Sequence, residues 1–286
     1  MGGFQFYQEC NNMDAVCSDI NSSYANIMNR NFKIAMTKPQ FIHYEHDNTK
    51  YFKYGLYRCK IINNTNNNLR YKVNTNHTRT IFNHVYLNTC INMGLTIEMI
   101  NDNEYNAMIY DESKNIKCSD LFGKYVDYFY ELKKKGIKSA KPFLNVLYGA
   151  LSQKNRCYKK SKPNKIIELD TTKHDIEQLF FAFKDMDDEN KQPNLNVEYV
   201  KKDNYYTMPY ARISPIISAN SYKLLVEQID KLNCPDDILR IHTDSITLKN
   251  YNNHKNKFKY SLNCGEWKIE KQGKLTIEGI NNFEWN

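Results

Sequence analysis

The sequence predicts an α+β fold, with antiparallel strands in some stretches of the chain and helices in others, on three observations. Over residues 121–135 and 138–154 apolar side chains recur at helical spacing on either side of Gly136, which reads as a helical hairpin. Residues 238–242 and 246–248 are two apolar runs around Thr243, Asp244 and Ser245, which reads as an antiparallel β-hairpin with those three at its tip. Residues 51–62 and 96–100 are dense in aromatic and β-branched side chains, the composition of strands.

In chain order, Ala15, Val16, Cys17, Ser18, Asp19 and Ile20 read as a short buried strand, and Asn21, Ser22 and Ser23 as caps of a helix running through Tyr24, Ile27 and Met28. Asp19 thus stands where a strand gives way to a helix. The strands over 51–62 and 96–100 are separated by Asn-rich sequence, and together they read as a β-rich insertion. The helical hairpin follows, then a helix over 213–232 and the β-hairpin. Short polar breaks at 63–68, 158–164 and 185–194 divide the chain, which has no internal repeat and no long linker.

The 286 residues suffice for one large domain or two small ones, and 13% aromatic residues are more than a disordered chain carries. No apolar stretch reaches the ~18–20 residues of a membrane helix, and Met1 to Gln5 show no basic segment before an apolar one. Neither a membrane span nor a secretory signal is expected. Eight cysteines are scattered without a Cys-x-x-Cys pair or a Cys-rich cluster beside histidines, which reads as reduced thiols in a cytoplasmic protein. The net charge of +8 suits polyanionic partners or a well-solvated surface, and the basic residues are spread along the chain. The sequons at Asn21, Asn63 and Asn76 follow from an Asn-rich composition, which itself points to an AT-rich genome.

Three constellations carry chemistry. In the first, Asp19, Ile20, Asn21, Ser22, Ser23 and Tyr24 set a carboxylate beside a helix start, whose free N–H groups suit phosphate, and an aromatic ring. Taken alone, an Asp before a helix is more often a cap. In the second, Lys141, Asn145 and Tyr148 lie at i, i+4 and i+7 and share one helix face, an arrangement that an ordinary amphipathic helix with a lysine at its edge also produces. The third is Asp244 at the hairpin tip, flanked by Thr243 and Ser245, where tight-turn chemistry is the plain alternative.

In their order along the chain the three resemble motifs A, B and C of the family B DNA polymerases, most closely the protein-primed branch of phages and linear mobile elements. Motif A there is Asp-x-x-Ser-Leu-Tyr-Pro, matched by Asp19 to Ala25; motif B is Lys-x-x-x-Asn-Ser-x-Tyr-Gly, matched by Lys141 to Gly149; motif C is Asp-Thr-Asp-Ser, matched by His242 to Ser245. Gly2, Gly3 and Phe4 resemble the end of the Tyr-x-Gly-Gly segment that precedes the polymerase module. Gly265 to Glu270 is similar to the Gly-x-Trp-Lys-x-Glu stretch beyond motif C.

The resemblance implies a polymerase palm of antiparallel sheet and packed helices with helical-hairpin fingers. Residues 1–117 would form the first part of the palm with the β-rich insertion, 118–157 the fingers, and 158–286 the second part of the palm with a curtailed thumb start. It implies two-metal nucleotidyl transfer from a dNTP to a primer 3′-hydroxyl, with two Mg²⁺ (or Mn²⁺) ions held by Asp19, Asp244 and the Ile20 carbonyl. The dNTP would be met by Ser22, Ser23, Tyr24, Lys133, Lys141, Asn145 and Tyr148, with Tyr24 excluding a 2′-hydroxyl. Gly149, Thr243, Ser245 and Lys268 would lie along the primer–template. The partners implied are primer–template DNA, dNTPs, and a terminal protein or a separate exonuclease or thumb subunit, with no membrane; a virus or mobile element is the implied source.

The sequence departs from the motifs at four places: His242 replaces the first motif C aspartate, Val146 the motif B serine, Ala25 the motif A proline, and Tyr222 the arginine that ends a template-binding segment. No exonuclease segment is expected, and Lys274, Leu275 and Thr276 lack the Tyr of the thumb's Lys-x-Tyr. These departures leave open a weakened polymerase relic that serves as a scaffold for primer–template or a partner, and a polymerase specialised for priming. Two carboxylates that repel each other without a metal favour the enzyme.

Overall fold

The apolar run ending at Asp19 becomes the interior of a long strand because both of its edges are paired. In a computed structural model of the protein, residues 4–47, 49–62, 80–160, 167–182 and 194–286 are described. The chain opens with β1 (Gln5–Tyr7), β2 (Cys10–Ile20), α1 (Ser23–Met28), β3 (Lys33–Ala35), β4 (Pro39–Ile42) and β5 (Gly55–Ile62). It continues with β6 (Ile81–Asn83), α2 (His84–Asn92), β7 (Thr96–Met99), β8 (Ala107–Tyr110) and β9 (Asn115–Lys117). The helical hairpin is α3 (Cys118–Lys134) and α4 (Ala140–Leu151), followed by β10 (Arg156–Lys160), β11 (His174–Ala182) and β12 (Asn194–Lys201). The last elements are α5 (Ser214–Leu232), β13 (Ile238–His242), β14 (Ser245–Leu248), β15 (Trp267–Gly279) and β16 (Asn282–Trp285).

The fold is mixed, and all pairings between these strands are antiparallel. The chain packs into two units, residues 1–145 with 215–286, and residues 146–214. The boundary at Val146 falls inside the 118–157 segment, within α4.

In the first unit, six strands run in the order β1-β13-β14-β2-β15-β16, and a second sheet has the order β4-β8-β5-β6 with β7 on β5. One helix serves both cores. Leu225, Ile229 and Leu232 of α5 pack with Ile241, Ile246, Leu248 and Trp267 of the six-stranded sheet. Ala219, Tyr222 and Val226 of the same helix pack with Tyr57, Phe82, Leu87 and Cys90 of the second sheet and α2. The two sets lie on different faces at helical spacing, so a helix apolar on two sides is buried on both. In α3, Cys118, Phe122, Val126 and Tyr130 recur every four residues as its buried stripe. Gly136 makes the turn to α4 at φ +81°, a left-handed conformation that only glycine adopts without strain. In the second unit β12 is the middle of three strands, with Val197 and Val200 buried, and Arg156 paired to Glu198 at 3.0 Å.

Several sequence expectations need correction. The first buried strand extends back to Cys10 because β15 pairs along it as far as Ile277. Residues 51–54 lie outside the strand expected over 51–62, although Phe52 and Tyr54 still reach the core. Residues 84–92, within the stretch read as a β-rich insertion, form α2: Asn83 caps it by accepting a hydrogen bond from Tyr86 N at 3.0 Å. Residues 158–160 belong to β10 and not to a break. Ser245 belongs to β14 and leaves Thr243 and Asp244 as the tip. The sequon sites Asn63 and Asn76, the 63–68 break, residues 161–164 and 185–193, and Gly2 and Gly3 lie outside the described residues. All eight cysteines are free thiols, and no described helix is long and apolar enough to cross a membrane.

Leu225 is 0% exposed, so Leu225→Ala is expected to lower the unfolding free energy by about 2–5 kcal/mol in urea denaturation. Leu262, 82% exposed, serves as the control, and Leu262→Ala is expected to change it by less than about 0.5 kcal/mol.

Candidate active site

Asp19 occupies the second-last position of β2, and the register of two pairings decides its neighbours. Ser245 of β14 lies opposite it on one side and Lys268 of β15 on the other. The Ile20 N–H donates to the Asp244 carbonyl at 3.0 Å, which brings the hairpin tip against the end of β2. The tip is held in turn by Thr243, at φ +58°, whose N–H donates to the Phe4 carbonyl at 2.8 Å, and by the Asp244 N–H, which donates to the His242 carbonyl at 2.7 Å. Asp19 and Asp244, 225 residues apart, thus share one end of the sheet.

A third carboxylate joins them. Glu270 sits in a β-bulge of β15, between Ile269 opposite Ser18 and Lys271 opposite Cys17. Bulges re-aim side chains, and Glu270 lines the same cleft of about 440 Å³ as Asp19, His242, Asp244 and Cys17. Burial pushes the Asp244 carboxyl up to about 7, and the neighbouring charges of Asp19 and Glu270 add to the rise while Lys268 opposes it. Asp19 is also raised, by burial first, and relieved by the Lys268 ammonium 2.9 Å from its Oδ2. Burial acts to lower Lys268, but the bond to Asp19 prevails and leaves it raised. His242 is lowered by burial and by the Arg240 charge, so its ring is neutral at pH 7.

The loop after β2 is built around a lysine from α3. Lys133 Nζ donates to Asn21 Oδ1 at 2.7 Å and to Ser22 Oγ at 2.8 Å, and Asn21 Nδ2 donates to Tyr130 Oη at 2.7 Å. The expected capping is corrected here: Ser22 is left-handed at φ +56° and makes no side-chain cap bond, because its hydroxyl accepts from Lys133. Gly265 closes the loop from the other side, donating its N–H to the Asn21 carbonyl at 2.8 Å. A Cβ there would lie 2.1 Å from Asn26 Cγ, so only glycine fits. Lys133 is lowered by burial and by the like charges of Lys268 and Lys141, and Lys141 in turn acts on Asp19. Three ammonium groups therefore act on Asp19, and Lys268 acts on Asp244 and Glu270 as well.

Other sequence-expected residues are placed differently. Ser23 is buried and its hydroxyl meets Ser221 of α5 at 3.2 Å, turned into the core. Ser245 is buried and donates to the His242 carbonyl at 3.1 Å. Tyr24 is half-buried on α1, and Asn145 is exposed on α4 one turn beyond Lys141. Tyr148 and Gly149 belong to the second unit. Tyr222 packs against Phe4 and Tyr86 with ring centroids 5.3 and 4.8 Å apart, which makes it a core residue. Sequence reasoning gave no site role to Glu270 or Tyr130 and read Asn21 as a helix cap, whereas its side chain meets Lys133 and Tyr130. Glu270 stands inside a segment singled out by motif, but nothing in the sequence marks the bulge.

No protein-family model and no curated protein matches this sequence. Solved structures do match. Phi29 DNA polymerase complexed with primer-template DNA and incoming nucleotide substrates is similar with a TM-score of 0.62 and 17% identity, over 99% of this chain and 48% of that one. The same polymerase complexed with single-stranded DNA gives a TM-score of 0.63 at 17% identity, over 99% and 47%. The post-translocation binary complex gives 0.58 at 17% identity, over 96% and 46%. This chain thus spans about half the length of the structures it resembles, and what it shares with that half is a polymerase-like fold of antiparallel sheets and helices.

Proposed function

We propose that the chain is the nucleotidyl-transferring portion of a DNA-directed DNA polymerase of family B, akin to the protein-primed branch, with the palm in 1–117 and 158–286 and the fingers in 118–157. The observation that carries this reading is the meeting of Asp19, Asp244 and Glu270 beside Lys133, Lys141 and Lys268, in a chain whose fold is that of half a polymerase. A carboxylate raised to about 7 among two others is a site short of positive charge. Hard oxygen donors of this kind suit Mg²⁺ or Mn²⁺. Asp19, Asp244 and the Ile20 carbonyl would hold two such ions, which when bound stabilise the attacking and leaving oxygens of an in-line displacement.

The chain's own groups would orient the rest. Lys133 and Lys141 meet the triphosphate, and Lys133 is already bonded to Ser22 at the helix start, the natural berth for a phosphate. Tyr24 would border the sugar and exclude a 2′-hydroxyl, and Asn145 would border the new base pair. Ser22 lends its hydroxyl, and Ser23 its backbone, since its side chain faces Ser221. Thr243 and Ser245 would fix the hairpin tip near the primer terminus, and Lys268 would follow the primer–template. Lys268 would exchange its bond to Asp19 for a phosphate once a cation neutralises that carboxylate. The primer 3′-oxygen bonds to the α-phosphorus, the bond from that phosphorus to the bridging oxygen breaks, pyrophosphate leaves, and the hydroxyl proton is released. A terminal protein, or a separate exonuclease or thumb chain, would complete the assembly.

Primer extension with dNTPs and Mg²⁺ or Mn²⁺ tests the reading: templated extension is expected, reduced at least ~10³-fold by Asp19→Ala or Asp244→Ala. Salt-dependent binding of primer–template without extension would favour the scaffold reading. Tyr24→Ala is expected to admit ribonucleotides in the same assay.

Stability supplies an independent check. The folded-state pKa of Asp244, about 7, stands above the ordinary 3.8, so the metal-free folded chain holds a proton that the unfolded chain has lost, and stability falls as pH rises through that interval. In EDTA at pH 8, Asp244→Asn is expected to be more stable than the native chain by about 2–4 kcal/mol, with the difference vanishing near pH 3.5. Mg²⁺ is expected to raise Tm of the native chain at pH 8 and not at pH 5, as followed by thermal unfolding.

A further inference from the structure

A second group of ligating side chains lies at the opposite end of β13 from Asp244. Cys234 lies two residues beyond the end of α5, Asp237 closes the short turn Pro235–Asp237 that leads into β13, and His254 sits on the strap between β14 and β15. These three offer one sulfur, one oxygen and one nitrogen within 4.8 Å of one another.

The backbone fixes them before any ligand is considered. The Asp237 N–H donates to the Cys234 carbonyl at 3.1 Å, the Lys249 N–H to the Asp237 carbonyl at 3.0 Å, and Lys257 Nζ to the Leu232 carbonyl at 2.6 Å. Asp237 Oδ2 lies 2.6 Å from His254 Nε2, and its Oδ1 accepts from Asn250 Nδ2 at 3.0 Å. His254 is 8% exposed, and its Nδ1 is buried with no hydrogen-bond partner. Nε2 is the nitrogen that faces Asp237, and Nδ1, on the other side of the ring, is left without a partner. With the ring proton on Nδ1, Nε2 would bring its lone pair to the carboxylate and the thiol, and a metal ion there would take the place of the hydrogen bond to Asp237.

The mixture of donors selects the metal. Mg²⁺ and Ca²⁺ favour shells of oxygen alone, whereas Zn²⁺ accepts sulfur, nitrogen and oxygen together in tetrahedral sites. We propose that Cys234, Asp237 and His254 form a zinc site, with water as a fourth ligand, that ties the end of α5 to the 249–258 strap. Burial and the Asp237 charge push the Cys234 thiol up to about 11, with Lys257 only partly opposing them, so binding requires the metal's own charge to drive the thiol proton out to solvent. The strap continues through Phe258 to Tyr260, whose hydroxyl meets Ser18 Oγ of β2 at 2.6 Å, one residue from Asp19. A metal here would steady that support from outside the carboxylate cleft.

The test is metal titration of the full chain, stripped of metal and carrying Asp19→Asn and Asp244→Asn so that the carboxylate cleft is silent. One equivalent of Zn²⁺ is expected to bind with micromolar or tighter affinity, and Co²⁺ in its place is expected to show a thiolate-to-cobalt charge-transfer band with a tetrahedral d–d envelope. Cys234→Ser and His254→Ala, checked for folding by near-ultraviolet circular dichroism, are each expected to weaken Zn²⁺ binding by at least ~100-fold and to abolish the band. Two results would overturn the proposal: a Co²⁺ spectrum without the thiolate band in the unsubstituted cluster, which needs no variant to fold, or Zn²⁺ affinity unchanged by Cys234→Ser.

Discussion

Everything at the candidate site depends on the pairing of β2 with the β13–β14 hairpin. A shift of one residue in that ladder would turn Asp19 to the other face of the sheet, because side chains alternate with a period of two. Two constraints hold the register. The Ile20 N–H donates to the Asp244 carbonyl at the end of the ladder, and Ile20, Ile246 and Leu248 are buried in one core with α5. The apolar alternation and the polar site are thus two faces of the same register, and neither can change alone.

α5 carries that register into the rest of the first unit. Its Leu225, Ile229 and Leu232 seat the six-stranded sheet while Tyr222 and Val226 seat the second sheet, so a single helix fixes both. The cost falls on Tyr222, which lies in the template-binding segment of the resemblance: a buried side chain packed edge-on to Phe4 and tilted against Tyr86 serves packing and is not free to meet nucleic acid.

Charge at the site is arranged in opposition. Burial raises Asp19 and Asp244, with the Glu270 charge adding to both, while Lys133 is lowered by burial and by the charges of Lys268 and Lys141. Across the two sets Lys268 offsets part of the cost through its ion pair with Asp19. His242, where the resemblance expects an aspartate, fits this balance. It is neutral at pH 7, so it spares the cleft a fourth negative charge without adding a positive one. On this account the substitution moderates the electrostatic cost of the cleft.

The sequence by itself determined what local pattern can encode. Helical periodicity marked α3, α4 and α5, apolar runs around a polar tip marked the β13–β14 hairpin, and three ordered motifs marked Asp19, Lys141 and Asp244. It erred where local and tertiary preferences compete: α2 was hidden in Asn-rich sequence because its cap is an asparagine and its buried face is short. Only the tertiary structure decided that Ser22 turns left-handed to meet Lys133, that Ser23 faces the core, that Glu270 enters the cleft, and that Cys234, Asp237 and His254 converge. Each of these rests on a contact between residues far apart in the chain, or on a bulge whose position is set by the strand it pairs with. Spacing along one chain specifies which face a side chain occupies, whereas its neighbours across that face are set by register and packing, which no single segment contains.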